Sequence, residues 1–355
     1  MRSTTYWSLA VATCLLGTSL GCNSSGNASD AASGTDDKGP VKLLNVSYDP
    51  TRELYEEFNQ AFKKFYEQET GQEITIEQSH GGAGKQARAV IEGLEADVLT
   101  LAIAYDIDQI AKQTDVLPKN WQSRLDNNSC PYTSTIVLLV RKGNPRQIKD
   151  WDDLIKAGVA VITPDPKSSG GARYNYLAAW GFALRKYGED EQQAKEFVTK
   201  IYRNVPILGS GARDSTTTFV NQEQGDVLLT WENEAHLAVK EFGSDKYEIV
   251  YPSVSVLAEP PVTVVDKNAA AHHAESAAKA YLEYLYSPEG QRIVAKHHYR
   301  PTQPKYADAE DLKQFKDIDL FSVDDVFGGW DQAMAKHFND GGQFDEIQAE
   351  IAASN

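Results

Sequence analysis

Cysteine is scarce in this chain of 355 residues, with three in all. Cys14 falls inside an apolar N-terminal run and Cys22 closes it, so Cys130 has no partner for an internal disulfide in the remainder. Ser129-Cys130-Pro131 brings no histidine or other base beside the sulfur, which argues against a thiol nucleophile. Basic residues are also few: 35 Lys and Arg against 51 Asp and Glu leave a net charge of −16. An acidic globule of this kind makes nucleic acid and anionic lipid headgroups poor partners. Any anion held here must be attracted by local dipoles acting against the field of the whole molecule. The histidines include the adjacent pairs His272-His273 and His297-His298, and adjacent positions do not share a helix face, so no metal site and no cofactor are expected. No internal repeat is visible.

What the N-terminus does contain is an export signal. Met1-Arg2 is a minimal charged start, and Tyr6 to Leu20 is apolar but shorter than the roughly 20 residues that span a bilayer. The run closes on Ser19-Leu20-Gly21-Cys22, which resembles a bacterial lipobox, in which the cysteine is lipidated and becomes the new N-terminus. The leucine usual three places before the cysteine is Ser19 here, with Leu20 one place late; an ordinary secretory cleavage nearby is the alternative. Residues 1–22 are therefore expected to be a lipoprotein-type signal peptide, with Cys22 the lipid carrier and the cell envelope or periplasm the destination. Residues 23–40 are rich in Ser, Gly, Asn, Ala and Asp and read as a flexible tether with a reach of roughly 20–25 Å.

The remainder exceeds what one core usually organises, so two lobes are expected: 41–132, then 133–255, then 256–355 returning to the first lobe and closing with C-terminal helices. Lys42 to Tyr48 reads as a strand running into Asp49-Pro50, with Asp49 at an N-cap and proline in the first helical turn. Leu54, Phe58, Phe62 and Phe65 then repeat at helical spacing up to Gly71. Ile74 to Ile76 leads into Ser79-His80-Gly81-Gly82-Ala83-Gly84-Lys85 and a helix, and Val98 to Ile103 gives the next strand. This alternation predicts a mostly parallel sheet with helices on both faces. The glycine loop fails as a nucleotide P-loop, because Gln86 follows Lys85 where Ser or Thr is required.

In the second half, the apolar strand Val159 to Ile162 precedes Pro166-Lys167-Ser168-Ser169-Gly170-Gly171-Ala172-Arg173 and an Ala-rich helix over Tyr174 to Leu184. Small residues leave backbone amides uncovered where a helix begins, and a helix start carries unpaired N–H groups and partial positive charge. The stretch reads as an anion seat, or as a plain capped turn. The same grammar recurs at Gly209-Ser210-Gly211-Ala212-Arg213-Asp214, with a helix expected from about Ser215, while Asp226 to Trp231 reads as a strand ending in an indole donor. Ile249-Val250-Tyr251 and Pro261 to Val265 read as strands returning to the first lobe. Arg173 and Arg213, just inside helix starts, either steer an anion or brace carboxylates.

Leu43 to Leu54, Gln78-Ser79-His80-Gly81-Gly82, Pro166 to Arg173 and Gly225-Asp226-Val227-Leu228 together resemble the bacterial periplasmic sulfate-binding proteins, the substrate-binding subunits of sulfate ABC importers. The resemblance runs over nearly all of the chain from Val41. It implies an α/β, two-lobed, hinged type II periplasmic binding protein, each lobe a mostly parallel sheet flanked by helices. It further implies a monomeric receptor, not an enzyme, that delivers sulfate to a membrane permease and uses no cofactor. The implied ligand set is the amides of Asp49, Ala83, Gly170, Gly171 and Ala212, the hydroxyl of Ser169 and the indole of Trp231. The family has Ser where this chain has Ala83, a position thought to contribute its amide. Thiosulfate or a molybdate-like tetrahedral oxyanion is the alternative ligand. An exported hydrolase using Ser168 or Ser169 is a weaker one, since Ser-Ser-Gly-Gly is not a Gly-x-Ser-x-Gly elbow.

Overall fold

The structure is a computed structural model, and it describes residues 39–354. The expected signal peptide, Cys22 and the expected tether up to residue 38 lie outside the described residues. Two sheets organise the described chain. The first has the order β10-β3-β1-β2, with β1 (Val41–Tyr48) between β2 (Ile74–Gly81) and β3 (Val98–Thr100), and β10 (Val262–Val264) at one edge. β1 runs parallel to both neighbours, with Val46 opposite Ser79 on one side and Leu99 on the other; only β10 is antiparallel.

α1 (Arg52–Thr70) follows β1 and buries Leu54, Tyr55, Phe58, Phe62 and Tyr66, while Phe65 stays 37% exposed at the edge of the stripe. It stops at Gly71, whose φ of 70° is the left-handed cap that glycine adopts without strain. α2 (Ala83–Ile91) and α3 (Ala104–Gln113) complete the first layer.

The second sheet has the order β12-β9-β4-β7-β5-β6, and β8 and β11 also pair with β4. β4 (Tyr132–Arg141) is its spine, buried without a break from Ser134 to Val140. β5 (Val161–Pro164) is parallel to both β6 (Leu208–Gly209) and β7 (Val227–Trp231), and β12 (Asp319–Phe321) is parallel to β9 (Val254–Ala258). β4 is antiparallel to β7, β8 (Tyr247–Val250), β9 and β11 (Arg300–Pro301). This sheet is therefore mixed, where the sequence predicted a mostly parallel one. The direction of β4 decides the pattern, and it has no signature in side-chain periodicity.

Two further expectations change. Ile249 and Val250 pair with Leu139 and Leu138 of β4, so this strand stays in the second sheet, and it is β10 that joins the first. The helix expected from Ser215 begins three residues earlier, as α6 (Ala212–Val220), after α4 (Gly170–Lys186) and α5 (Glu191–Arg203). Every residue of α4 from Gly170 to Leu184 is buried, as expected of a helix that is apolar all round. β12 crosses it so closely that a Cβ on Gly181 would lie 2.2 Å from the Phe321 ring. α7 (Glu232–Phe242) follows β7 directly, and α8 (Glu275–Tyr284) and α9 (Pro288–Lys296) pack with α1 through Tyr281, Leu282, Ile293 and Val294. Among the described residues, no helix is long and apolar enough to cross a membrane.

Candidate anion-binding site

Four helical starts converge. A 3-10 turn begins at Asp49 on the tip of β1, α2 begins at Ala83, α4 at Gly170 and α6 at Ala212. Side chains tie these starts to the sheets behind them. Gln86 Nε2 donates to the carbonyls of Ser47 and Ser79, fixing α2 to β1 and β2. Asn175 Nδ2 donates to Thr163 Oγ1 and the Leu229 carbonyl, fixing α4 to β5 and β7. Ser168 Oγ donates to the Ser210 carbonyl at 3.1 Å, joining the loops before α4 and α6.

The approach of the loops is close enough to explain their glycines. A Cβ on Gly171 would lie 2.4 Å from Trp231 Nε1, and one on Gly170 would lie 2.9 Å from the Ala102 Cβ and 3.4 Å from the Ala83 Cβ. A Cβ on Gly82 would stand 3.2 Å from the Ser168 carbonyl oxygen, and one on Gly211 would stand 3.0 Å from Asp49 Oδ2. Asp49 and Ala83, carried on the first sheet, are thus brought against 168–171, 210–212 and Trp231, carried on the second.

The donors around this junction are under-used. The caps of α2 and α6, Gly82 and Gly211, offer no side-chain acceptor, and Tyr48 likewise caps nothing at the Asp49 turn. In the turns and caps of the described residues no acceptor pairs with the amides of Asp49, Ala83, Gly170, Gly171 or Ala212. Trp231 is 1% exposed, and its Nε1 has no hydrogen-bond partner among the described residues. A buried indole N–H normally finds an acceptor, and leaving one unpaired costs about 1–3 kcal/mol. Ser169 is the cap of α4; its Oγ accepts from the Ala172 amide at 3.3 Å, which leaves its own hydroxyl proton free to donate.

Asp49 departs from expectation. It is the first residue of the 3-10 turn, not its cap, and its side chain takes no backbone N–H of that turn. The position is closed by Thr51, whose Oγ1 donates to the Tyr48 carbonyl at 2.7 Å. The Asp49 carboxylate instead faces the Gly211 loop, with Arg52 Nη2 3.9 Å away. Burial raises its pKa, against the pull of Arg52, Arg213 and Lys85.

Both arginines brace carboxylates. Arg173 is buried, donates from Nη1 to Asp106 Oδ1 at 3.0 Å and from Nε to the Pro166 carbonyl, and so ties α4 to α3. Arg213 holds Glu53 of α1 through both guanidinium nitrogens, at 2.8 and 2.9 Å, and Glu234 of α7 at 2.8 Å. The sequence offered this bracing as one of two readings for Arg213, without its partners, and it missed Asn233, whose Nδ2 donates to the Pro50 carbonyl at 3.1 Å. The signal was present in Glu232-Asn233-Glu234, three polar residues directly after a buried strand.

The remaining candidates are structural. Cys130 is buried and free, and desolvation pushes its thiol pKa far up. His272 Nδ1 is 2.7 Å from Asp97 Oδ1, and His297 Nε2 is 2.9 Å from Glu57 Oε2. A cavity of about 640 Å³ lies beside α1, α7 and α9, lined by Pro50, Asn233 and His297 among others but by none of the seven predicted donors.

Comparison with known proteins shows the family of the chain. Residues 47–300 match the family of bacterial extracellular solute-binding proteins. A sulfate-binding protein of Salmonella typhimurium is 59% identical, over 86% of this chain and 93% of its own length. A thiosulfate-binding protein of Pseudomonas aeruginosa is 52% identical over 86% of this chain and 91% of its own. Among solved structures, the sulfate-binding protein SubI of Mycobacterium tuberculosis superposes with a TM-score of 0.74 at 30% identity, covering 84% of this chain and all of that one.

Proposed function

This chain belongs to the bacterial extracellular solute-binding proteins, and from that premise we propose that it is the sulfate receptor of an ABC importer. In this reading the dianion is held by the amides of Asp49, Ala83, Gly170, Gly171 and Ala212, the hydroxyl of Ser169 and the indole of Trp231. The observation that carries it is the buried Trp231 N–H without a partner, aimed at Gly171 where helix starts of both sheets meet. Each helix start supplies about half a positive charge, so three together offset most of a dianion. Seven hydrogen bonds to a charged acceptor, at about 1.5–3 kcal/mol each, give roughly 10–20 kcal/mol before desolvation and ordering. A micromolar complex requires about 8 kcal/mol.

Protons set the selectivity. Sulfate carries none near neutrality, whereas phosphate keeps at least one and needs an acceptor for it. Asp49 is the carboxylate beside the junction, and its charge opposes a dianion; discrimination therefore rests on the donors outnumbering it. Mismatched buried polar groups discriminate by up to about 10⁴–10⁵. Competition calorimetry with sulfate, thiosulfate, molybdate and phosphate tests this. We expect sulfate to bind at least a hundredfold tighter than phosphate, and equal affinities would overturn a site in which donors dominate. Thiosulfate is the second reading, favoured by the 52% identity to a thiosulfate-binding protein. The rest of the proposal is export with a lipid on Cys22, a tether over 23–40 and delivery of the ligand to a membrane permease by lobes that close on it.

A further inference from the structure

Seven histidines are few, yet three of them, His236, His297 and His298, gather where α7 meets the segment expected to return to the first lobe. His236 lies on α7, which packs on the second sheet through Ala235 and Ala238. His298 follows α9, whose Ile293 and Val294 pack with α1 and Tyr281. Their imidazoles stack, with centroids 5.2 Å apart and planes at 21°. Hydrogen bonds hold both rings. His236 Nε2 lies 3.0 Å from the Tyr251 hydroxyl, which in turn donates to the Gln314 carbonyl, so the Tyr251 oxygen is left to accept from Nε2–H. His298 Nδ1 bonds the side chain of Gln314, and His297 bonds Glu57 of α1. His297 and His298 also line the 640 Å³ cavity between α1 and α7, so water reaches the cluster.

We propose that the stacked His236–His298 pair is an acid-sensitive clasp between the second lobe and the returning segment, so that acidification loosens the junction and releases bound oxyanion. The release half of this statement rests on the receptor reading above. The surroundings favour neutral rings. Arg300 and Lys316 face His236 along with His298, and Arg300 itself engages Glu232 of α7 at 2.7 and 2.9 Å. Lys240 and His297 face His298, with Asp311 opposing them. Burial, ahead of these cations, lowers the His236 pKa from 6.5 to about 4 and also lowers that of His298. A histidine whose pKa is depressed favours the packed form above its ordinary pKa and loses that preference as pH falls toward the lowered value. Each ring freed on opening thus shifts the balance by up to about tenfold per pH unit below 6.5.

Calorimetry with sulfate at pH 7.5 and 5.0 tests the clasp, because sulfate itself stays a dianion at both. We expect wild type to bind at least tenfold more weakly at pH 5.0, and the His236→Leu/His298→Phe double variant to lose less than threefold. Equal wild-type affinities at the two pH values overturn the clasp, as does a double variant that keeps the full loss. Should that variant not fold, NMR titration of wild type decides: both imidazoles are expected to titrate lower with sulfate than without it, and unchanged values overturn the proposal. If sulfate gives no heat at either pH, the receptor reading fails instead. The clasp is then judged by X-ray scattering, where the wild-type radius of gyration must rise on acidification; a constant radius overturns it.

Discussion

Trp231 is one of the seven proposed donors, and a single substitution isolates it. Its ring is held by Tyr48 and Tyr174, each with its centroid 5.3 Å away, so the indole N–H is positioned before any ligand arrives. Trp231→Phe keeps the ring and removes the donor, and should weaken sulfate by about 1–3 kcal/mol in calorimetry; unchanged affinity would take Trp231 out of the site. Gly171→Ala places a methyl 2.4 Å from the same nitrogen. We expect it to fold, by circular dichroism, and to bind sulfate at least a hundredfold more weakly. The glycines and the tryptophan were legible in the sequence because small residues before a helix and an aromatic at a strand end have local meaning. The partner of the Asp49 carboxylate was not legible: it depends on where the Gly211 loop, more than 160 positions away, comes to rest.

At the scale of elements, α4 carries one wall of the junction, and its tie to α3 is the buried Arg173–Asp106 pair, with both side chains about 5% exposed. Removing one member of a buried pair strands the other charge, at a cost of about 3–5 kcal/mol. Arg173→Met should therefore lower stability by about that amount in urea unfolding, with m unchanged, while sulfate affinity moves far less. A loss of affinity without loss of stability would make Arg173 a ligand-binding residue. The positions of α1, α2, α4 and most strands were readable from periodicity, Gly71 and the Ser-Gly turns. The start of α6 was read late because Gly211-Ala212-Arg213 has no capping side chain to announce it. β9 and the antiparallel course of β4 were not readable, because strand direction is a tertiary choice.

For the whole molecule, buried histidines contribute to the acid limit. His337 is buried with its Nδ1 on the Tyr176 hydroxyl, and burial lowers its pKa to about 3; His80 is lowered to about 4, first by burial and then by Arg52. Unfolding returns both to ordinary values, so the unfolded chain binds more protons and stability falls as pH drops from about 6.5 toward 3. Thermal unfolding followed from pH 7 to 4 should show a steadily falling midpoint, and His337→Phe should flatten that fall. Two lobes were implied by length and by the family resemblance, and the paired sheets bear out that architecture. What ties one lobe to the other, Arg213 with Glu53 and Asn233 with Pro50, joins residues far apart in sequence and has no local pattern.

The central claim is that uncharged peptide dipoles, not cations, hold the dianion, and its most direct test is the salt dependence of sulfate affinity. Titrated with sulfate in 50 and 500 mM sodium chloride, the ligand-free protein should bind with micromolar or tighter affinity that changes by less than threefold, because short bonds to buried amides are little screened. A drop of tenfold or more at the higher salt would assign the binding to exposed charged side chains and contradict the account.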